Sequence, residues 1–243
     1  MGEAMNEGEV VTSEKSYAGK GLDRQVIVQA ALESIDRNGS QGLTMRGLGQ
    51  ELSVEAMSLY RYVSGREDLL EGVIAVLLDD IRPHMDELLA RTWQGYLQSL
   101  AHAVRQIAIE HPAAFPLVAT RHPAAPWMRP PLRSLELVED FLSTLSDFGF
   151  NDDQVVSTYR SFTSFLLGHL LLESAVRGGE TSAVEEPLDE GGATVANRDG
   201  RVDLSGSPTV TKFRAKLSED RSDEEFETSL ETLLDRLEMD VSQ

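Results

Sequence analysis

The side chains of this 243-residue chain that could do chemistry fall into two groups. The denser is SVEAMSLYRYV, residues 53–63, where Tyr60, Arg61 and Tyr62 follow Ala56, Met57 and Ser58. Hydroxyls, a guanidinium and small apolar groups on one short surface are what reading base edges requires. Arg donates twice to guanine, hydroxyls serve either base type, and an apolar group meets the thymine methyl. The other group is five histidines, His84, His102, His111, His122 and His169. No two share an i, i+4 spacing and none stands in an HExxH frame, so no metal site is expected. Neither a GxSxG elbow nor a phosphate-cradling GxxxxGK[ST] loop occurs, and the expectation is a non-enzyme without a cofactor.

The elements around the first group have the spacing to present it. Leu43–Leu52 and Val54–Val63 are short apolar-periodic segments separated at Ser53, and a third opens near Arg66. Leu48 and Leu52 share one face of the first, while Val54, Leu59 and Val63 line the inner side of the second. Burying those faces turns Ala56, Met57, Ser58, Tyr60, Arg61 and Tyr62 outward. This is a helix-turn-helix, whose second helix fits a DNA major groove. A left-handed turn at Ser53 costs about 1 kcal/mol where Gly would cost nothing. Gly47 and Gly49 each lower helix propensity by about 1 kcal/mol; a small residue at 49 lets the helices cross closely, whereas spacing supplies no reason for Gly47. Upstream, Leu22, Val26, Ile27, Ala30, Ala31 and Ile35 form a helical stripe that starts beside Asp23 and ends at Asn38-Gly39. Downstream, Leu70, Val73, Ile74, Leu77, Leu78 and Ile81 predict one helix running to Pro83.

At LTMRGLGQEL, SVEAMSLYRYV and GREDLLEGV the chain resembles the TetR family of bacterial one-component transcription regulators, most specifically at Leu59-Tyr60, Tyr62-Val63 and Arg66. The resemblance spans residues 22–81 and continues more faintly through WQGYLQSLAHAVRQIAIEHP to ATRHP, which is similar to the tetracycline-repressor-like subgroup. It implies a homodimer on a double-stranded DNA operator, with Arg24, Thr44, Met45, Arg46, Ala56, Met57, Ser58, Tyr60, Arg61, Tyr62 and Arg66 at the DNA. It also implies a small-molecule effector whose binding the fourth helix relays to the reading end. Where tetracycline repressors place two of their drug-chelating histidines, this chain has Arg82 and Leu117, so a magnesium-chelated tetracycline is not the expected effector.

Net charge is −19, which opposes nucleic acid until its distribution is counted. Residues 20–66 hold six Lys/Arg against five Asp/Glu, whereas residues 67–243 hold 15 against 32. A near-neutral head on an acidic body keeps non-specific DNA binding weak and leaves affinity to specific contacts and dimerisation. Cysteine is absent, excluding disulfides and thiolate metal sites. There is no run of about 18 apolar residues, and the first residues lack the basic start and apolar centre of a signal peptide. A cytoplasmic protein that does not enter membranes is expected.

The body reads as helices at Trp93–Glu110, Leu132–Phe148 and Asp152–Val176, with a Pro-rich loop at Arg121–Pro131. A Gly-, Ser- and acid-rich stretch at 178–222 is expected to be a mobile loop. From Asp223, Phe226, Leu230, Leu233, Leu234, Leu237 and Val241 form one stripe that wants a partner. Pairing this helix with 152–176 and with two-fold mates builds a four-helix dimer bundle.

The expected fold is therefore all-α, with a disordered arm at 1–21, a helix-turn-helix domain at 22–66 and a ligand-binding and dimerisation domain at 67–243. Candidate effector contacts are His102, Phe115, Trp127, Tyr159, Phe162 and His169. The expected function is a homodimeric, ligand-responsive regulator, a repressor released by a small hydrophobic or aromatic compound. Sequence leaves open an activator, and leaves open an acidic all-α ligand-binding module whose helix-turn-helix is vestigial.

Overall fold

The computed structural model describes residues 21–79, 81–120, 122, 124–177 and 206–241, which form ten α-helices and two short 3-10 turns, with no strand among them. The expected arm and most of the expected mobile loop, residues 1–20 and 178–205, lie outside the described residues.

Local caps decide where the first helices start. Asp23 accepts the Val26 amide at 2.8 Å and opens α1 (Arg24–Gly42), which kinks at Gly39 where φ is 75°. Thr44 Oγ1 accepts the Gly47 amide at 3.0 Å and opens α2 (Met45–Glu51). A Cβ at Gly47 would sit 3.0 Å from that hydroxyl, which supplies the packing reason absent from the spacing.

The turn out of α2 has two linked hydrogen bonds, Val54 N–H to Gly49 O at 2.8 Å and Ser53 N–H to Gln50 O at 3.1 Å, with Ser53 at φ 57°. That is a Schellman ending with Ser where Gly is unstrained. A Cβ at Gly49 would lie 2.9 Å from Val54 O and 3.1 Å from Ala56 N, so the start of the next helix rests directly on this glycine. Ser53→Gly is expected to stabilise the fold by about 1 kcal/mol, read as a higher urea midpoint at unchanged slope.

The third helix, α3 (Ala56–Leu59), is shorter than the predicted 54–63 segment. Val54 and Glu55 belong to the turn. Beyond Leu59 the chain stays coiled through turn bonds, Tyr62 N–H and Val63 N–H both reaching Leu59 O at 2.9 and 3.1 Å. Leu59 and Val63 are buried beneath it. The predicted fourth helix divides into α4 (Arg66–Asp79) and α5 (Ile81–His84), with Pro83 inside the second piece. Leu78 is only half-buried, and Leu69, outside the predicted stripe, is fully buried.

In the body, α6 (Trp93–Glu110) is capped by Thr92 and stops at His111, and α7 (Leu135–Asp147) is capped by Ser134. A reciprocal cap between Asn151 and Gln154 opens α8 (Asp152–Val176). Residues 208–217 are not loop as predicted: they form α9 (Pro208–Leu217), which begins with a proline and carries Arg214 and Lys216 in its last turn, both favourable end residues. α10 (Ser222–Val241) completes the described chain. α8 packs against α6, α7 and α10, while α1 lies on α4 and α2 bridges α1 and α3. A single core runs from Ile27, Leu48 and Leu59 through Leu69, Val73 and Leu77 to Leu100, Phe141, Phe162 and Phe226. Among the described residues no helix is long and apolar enough to cross a membrane.

Candidate functional site

Two places in the fold gather chemistry. At the outer end, α2 and the turns around α3 present one continuous surface. Met57 is 72% exposed, Tyr60 48% and Tyr62 39%; Arg46 and Arg61 are also exposed, and Ala56 and Ser58 are half-buried between them. Large apolar and aromatic groups left in water beside two guanidiniums, over a well-packed Leu59 and Val63, are a surface built for contact rather than solvation.

Four of the predicted DNA-contacting residues are engaged within the head. Thr44 caps α2, and Met45 packs against the core. Arg66 donates to Ser40 O at 2.7 Å and to Leu43 O at 3.4 Å, tying the α1–α2 connection to the start of α4. Arg24 pairs with Asp68 at 2.7 Å and donates to Tyr62 O at 3.4 Å, bracing the backbone that carries the tyrosines. These partners lie 23 to 44 residues away in sequence where spacing rules see nothing, apart from the local Thr44 cap.

Asp68 also accepts the Ser64 amide at 2.7 Å. The Arg24 hydrogen bond first, then the Ser64 amide, hold its carboxyl below the ordinary aspartate range, against a smaller opposing effect of burial. A depressed folded-state pKa contributes stability above the ordinary aspartate value of about 4 and loses it as pH falls through the lower folded value. Asp68→Asn is therefore expected to cost about 1 kcal/mol at pH 7, with the gap to the parent chain closing below about pH 4 in urea titrations.

The second place is a cleft within the body. Its outer part, about 170 Å³, is lined by Leu78, Asp79, Ile81, Met85, Leu100, Ser134, Glu136, Leu137 and Asp140. Its inner part, about 40 Å³, shares the wall residues Leu78, Ile81, Leu100 and Leu137 with the outer one, so the two adjoin. The inner walls are almost wholly apolar, with Val138, Phe141, Phe162 and Leu166 from α7 and α8. Tyr159 and Thr163 are its polar members. The Tyr159 hydroxyl donates to Pro130 O at 3.2 Å, and burial pushes its pKa up to about 12, so it remains a neutral donor.

Of the six predicted effector contacts, Tyr159 and Phe162 line this space. The others lie elsewhere. Trp127 is 74% exposed on the Pro-rich loop, and Phe115 is buried in the short turn Phe115–Leu117. His102 and His169 come together, but around Phe226 of α10: their rings are 5.8 and 5.3 Å from it, the Arg105 guanidinium is 4.7 Å above it, and His102 Nε2 meets Glu227 at 2.9 Å. Periodicity marked Phe141 and Leu166 as apolar but not as cavity wall. Leu166 lies on the 152–176 segment and Phe141 on the 132–148 segment, both read from the sequence only as helices. No group of three His, Cys, Asp or Glu able to hold a metal ion occurs among the described residues.

Comparison with known proteins adds an independent line. The profile of the tetracyclin repressor-like C-terminal domain matches residues 88–241. An HTH-type transcriptional regulator of Saccharopolyspora erythraea is 27% identical over 169 residues, 70% of this chain and 68% of that one. The tetracycline repressor protein class E of Escherichia coli is 28% identical over 65% of this chain and 72% of its own length. A crystal structure of a possible TetR family transcriptional regulator from Streptomyces coelicolor A3(2) superposes with a TM-score of 0.66 at 29% identity, covering 89% of this chain and 99% of that one.

Proposed function

Since the chain belongs to the TetR family of transcriptional regulators, we propose that it is a homodimeric repressor that holds a palindromic operator and leaves it when a small hydrophobic effector enters the α4–α8 cleft. The observation that carries this reading is the exposed surface of Arg46, Met57, Tyr60, Arg61 and Tyr62 on the outer side of a well-packed helix-turn-helix. In it, the five side chains meet DNA, Ala56 and Ser58 complete the fit, Thr44 and Met45 set the start of α2, and Arg24 and Arg66 brace the segment from behind.

Dimerisation is supported by apolar side chains left in water on α8 and α10. Leu172 is 70% and Val176 90% exposed, one turn apart on α8, and Met239 of α10 is 56% exposed. A two-fold pair places two reading surfaces on half-sites about 34 Å apart, hence a palindrome.

Release follows from linkage, because an effector shifts the operator equilibrium only by its differential affinity for two arrangements of the heads. A shift from 1:99 to 99:1 takes about 5.5 kcal/mol of such difference. Leu78 and Ile81, at the end of α4 and the start of α5, form part of the cleft wall. Arg133, next to the wall residue Leu132, donates through Nε to Glu71 of α4 at 3.1 Å. His111 at the end of α6 meets Asp36 of α1 at 2.7 Å. A ligand that spreads the cleft therefore pulls on α4 and α1 together.

Footprinting on the promoter beside the protein's own gene tests the reading. The expected result is a protected palindrome at moderate salt. An unprotected promoter, with no palindrome recovered from random duplex by selection, would rule the reading out.

A further inference from the structure

Resting on the outer side of the helix-turn-helix being the DNA-reading surface, we propose that Met57 is a specificity-determining residue that selects a pyrimidine carrying a C5-methyl group. Each half-site then holds a thymine at one fixed position, where 5-methylcytosine, and not cytosine, can stand in for it. Met57 is 72% exposed, further into solvent than any other large apolar side chain of the head. Among the four residues of α3 it is the exposed one, since Ala56 and Ser58 are half-buried and Leu59 is fully buried.

The chemistry of the side chain narrows what it can read. A thioether chain donates no hydrogen bond and accepts only weakly, so the amino, carbonyl and ring-nitrogen edges of the bases give it little. The apolar feature that a base pair shows in the major groove is the thymine methyl, which cytosine lacks and 5-methylcytosine carries. An unbranched, adaptable side chain can cover that group from a range of approaches. Each methyl taken out of water contributes about a fourfold gain in affinity. Electrostatics favours the same orientation. Glu55, exposed immediately before α3 with no side-chain cap hydrogen bond, is repelled by phosphates, whereas Arg61, exposed just beyond the other end of α3, is drawn to them. The Met57 end of α3 is thereby turned from the backbone of the duplex toward the bases.

The test is thymine-to-uracil scanning of the operator duplex, which removes one methyl per substitution and no hydrogen-bonding group, read by fluorescence anisotropy with the full-length chain. Expected is one position, repeated in the two half-sites, at which uracil in both copies weakens binding about fifteenfold in the parent chain and less than about twofold in Met57→Ala. At that position a cytosine–guanine pair binds poorly; methylating the cytosine at C5 in both copies recovers at least about fivefold in the parent chain and nothing in Met57→Ala. A uracil profile that is the same in the parent chain and in Met57→Ala, or a methyl response that survives the substitution, overturns the assignment to Met57 and leaves the operator and its reading surface in place. If footprinting and selection yield no operator, the reading of that surface as DNA-binding fails, and this inference fails with it.

Discussion

Arg46→Ala and Tyr60→Ala should each weaken operator binding about a hundredfold while leaving the fold, its melting temperature and its association state unchanged. A good protein–DNA contact contributes about 1–3 kcal/mol, and a two-fold complex loses each contact twice, so a loss of about 3 kcal/mol is a conservative sum. Both side chains are exposed, and neither lies in the core that holds α2 and α3. The two substitutions should differ in their dependence on salt. If Arg46 neutralises a phosphate, removing it from both protomers lowers the slope of log affinity against log salt by about 2. Tyr60 carries no charge to release counterions, and its loss should leave the slope alone. Fluorescence anisotropy on the footprinted duplex at several salt concentrations measures both effects. Binding by Tyr60→Ala within twofold of the parent chain would mean that the DNA sits elsewhere.

Glu173→Ala should destabilise the body by about 3 kcal/mol. Arg105 and Glu173 are each 8% exposed, and the guanidinium donates twice to the carboxylate, at 3.0 and 2.8 Å. Removing one member of a buried pair leaves the other charge uncompensated, which costs about 3–5 kcal/mol. Asp223, exposed on α10, still touches Arg105 at 2.5 Å and brings the figure to the lower end. Arg105→Met/Glu173→Leu, which removes both charges, should recover most of the loss.

The pH dependence of this pair follows from the same geometry. Burial, the largest influence on Glu173, pushes its pKa up, but the hydrogen bonds and charges of Arg105 and then Arg177 outweigh it and hold the carboxyl below its ordinary range. The pair's contribution is therefore present above about pH 4.3, the ordinary glutamate value, and is lost as pH falls through the lower folded value. Urea midpoints of the parent and of Glu173→Ala should converge in acid. A constant difference down to pH 3 would mean that the effect is packing and not charge.

Helices bounded by strong local signals were legible in the sequence. Trp93–Glu110 ends where His111-Pro112 forbids continuation, and Asp152–Val176 begins at an Asn whose cap needs only the Gln three residues on. The outward set at Ala56–Tyr62 was legible because Leu59 and Val63 have to face inward. α9 was not, since its ten residues are embedded in a longer stretch whose composition says loop. Nor were the duties of Arg24 and Arg66, whose partners are brought close only by the tertiary fold. The cleft was half legible. Tyr159 and Phe162 were marked as aromatic residues on the predicted 152–176 helix, whereas His102 and His169 were marked for being histidines, and the structure spends both on anchoring Phe226.

The unbroken core that links Ile27 in the head to Phe226 in the last helix has a thermodynamic consequence. With α4 contributing Leu69 and Val73 at one end and Leu77 at the other, neither half has an apolar surface it can call its own. The head and body should then melt in a single endotherm, and the slowest-exchanging amides of α1 should share one opening free energy with those of α8. A fragment ending soon after α3 would expose the face of Ile27 and Leu59 and remain largely unfolded.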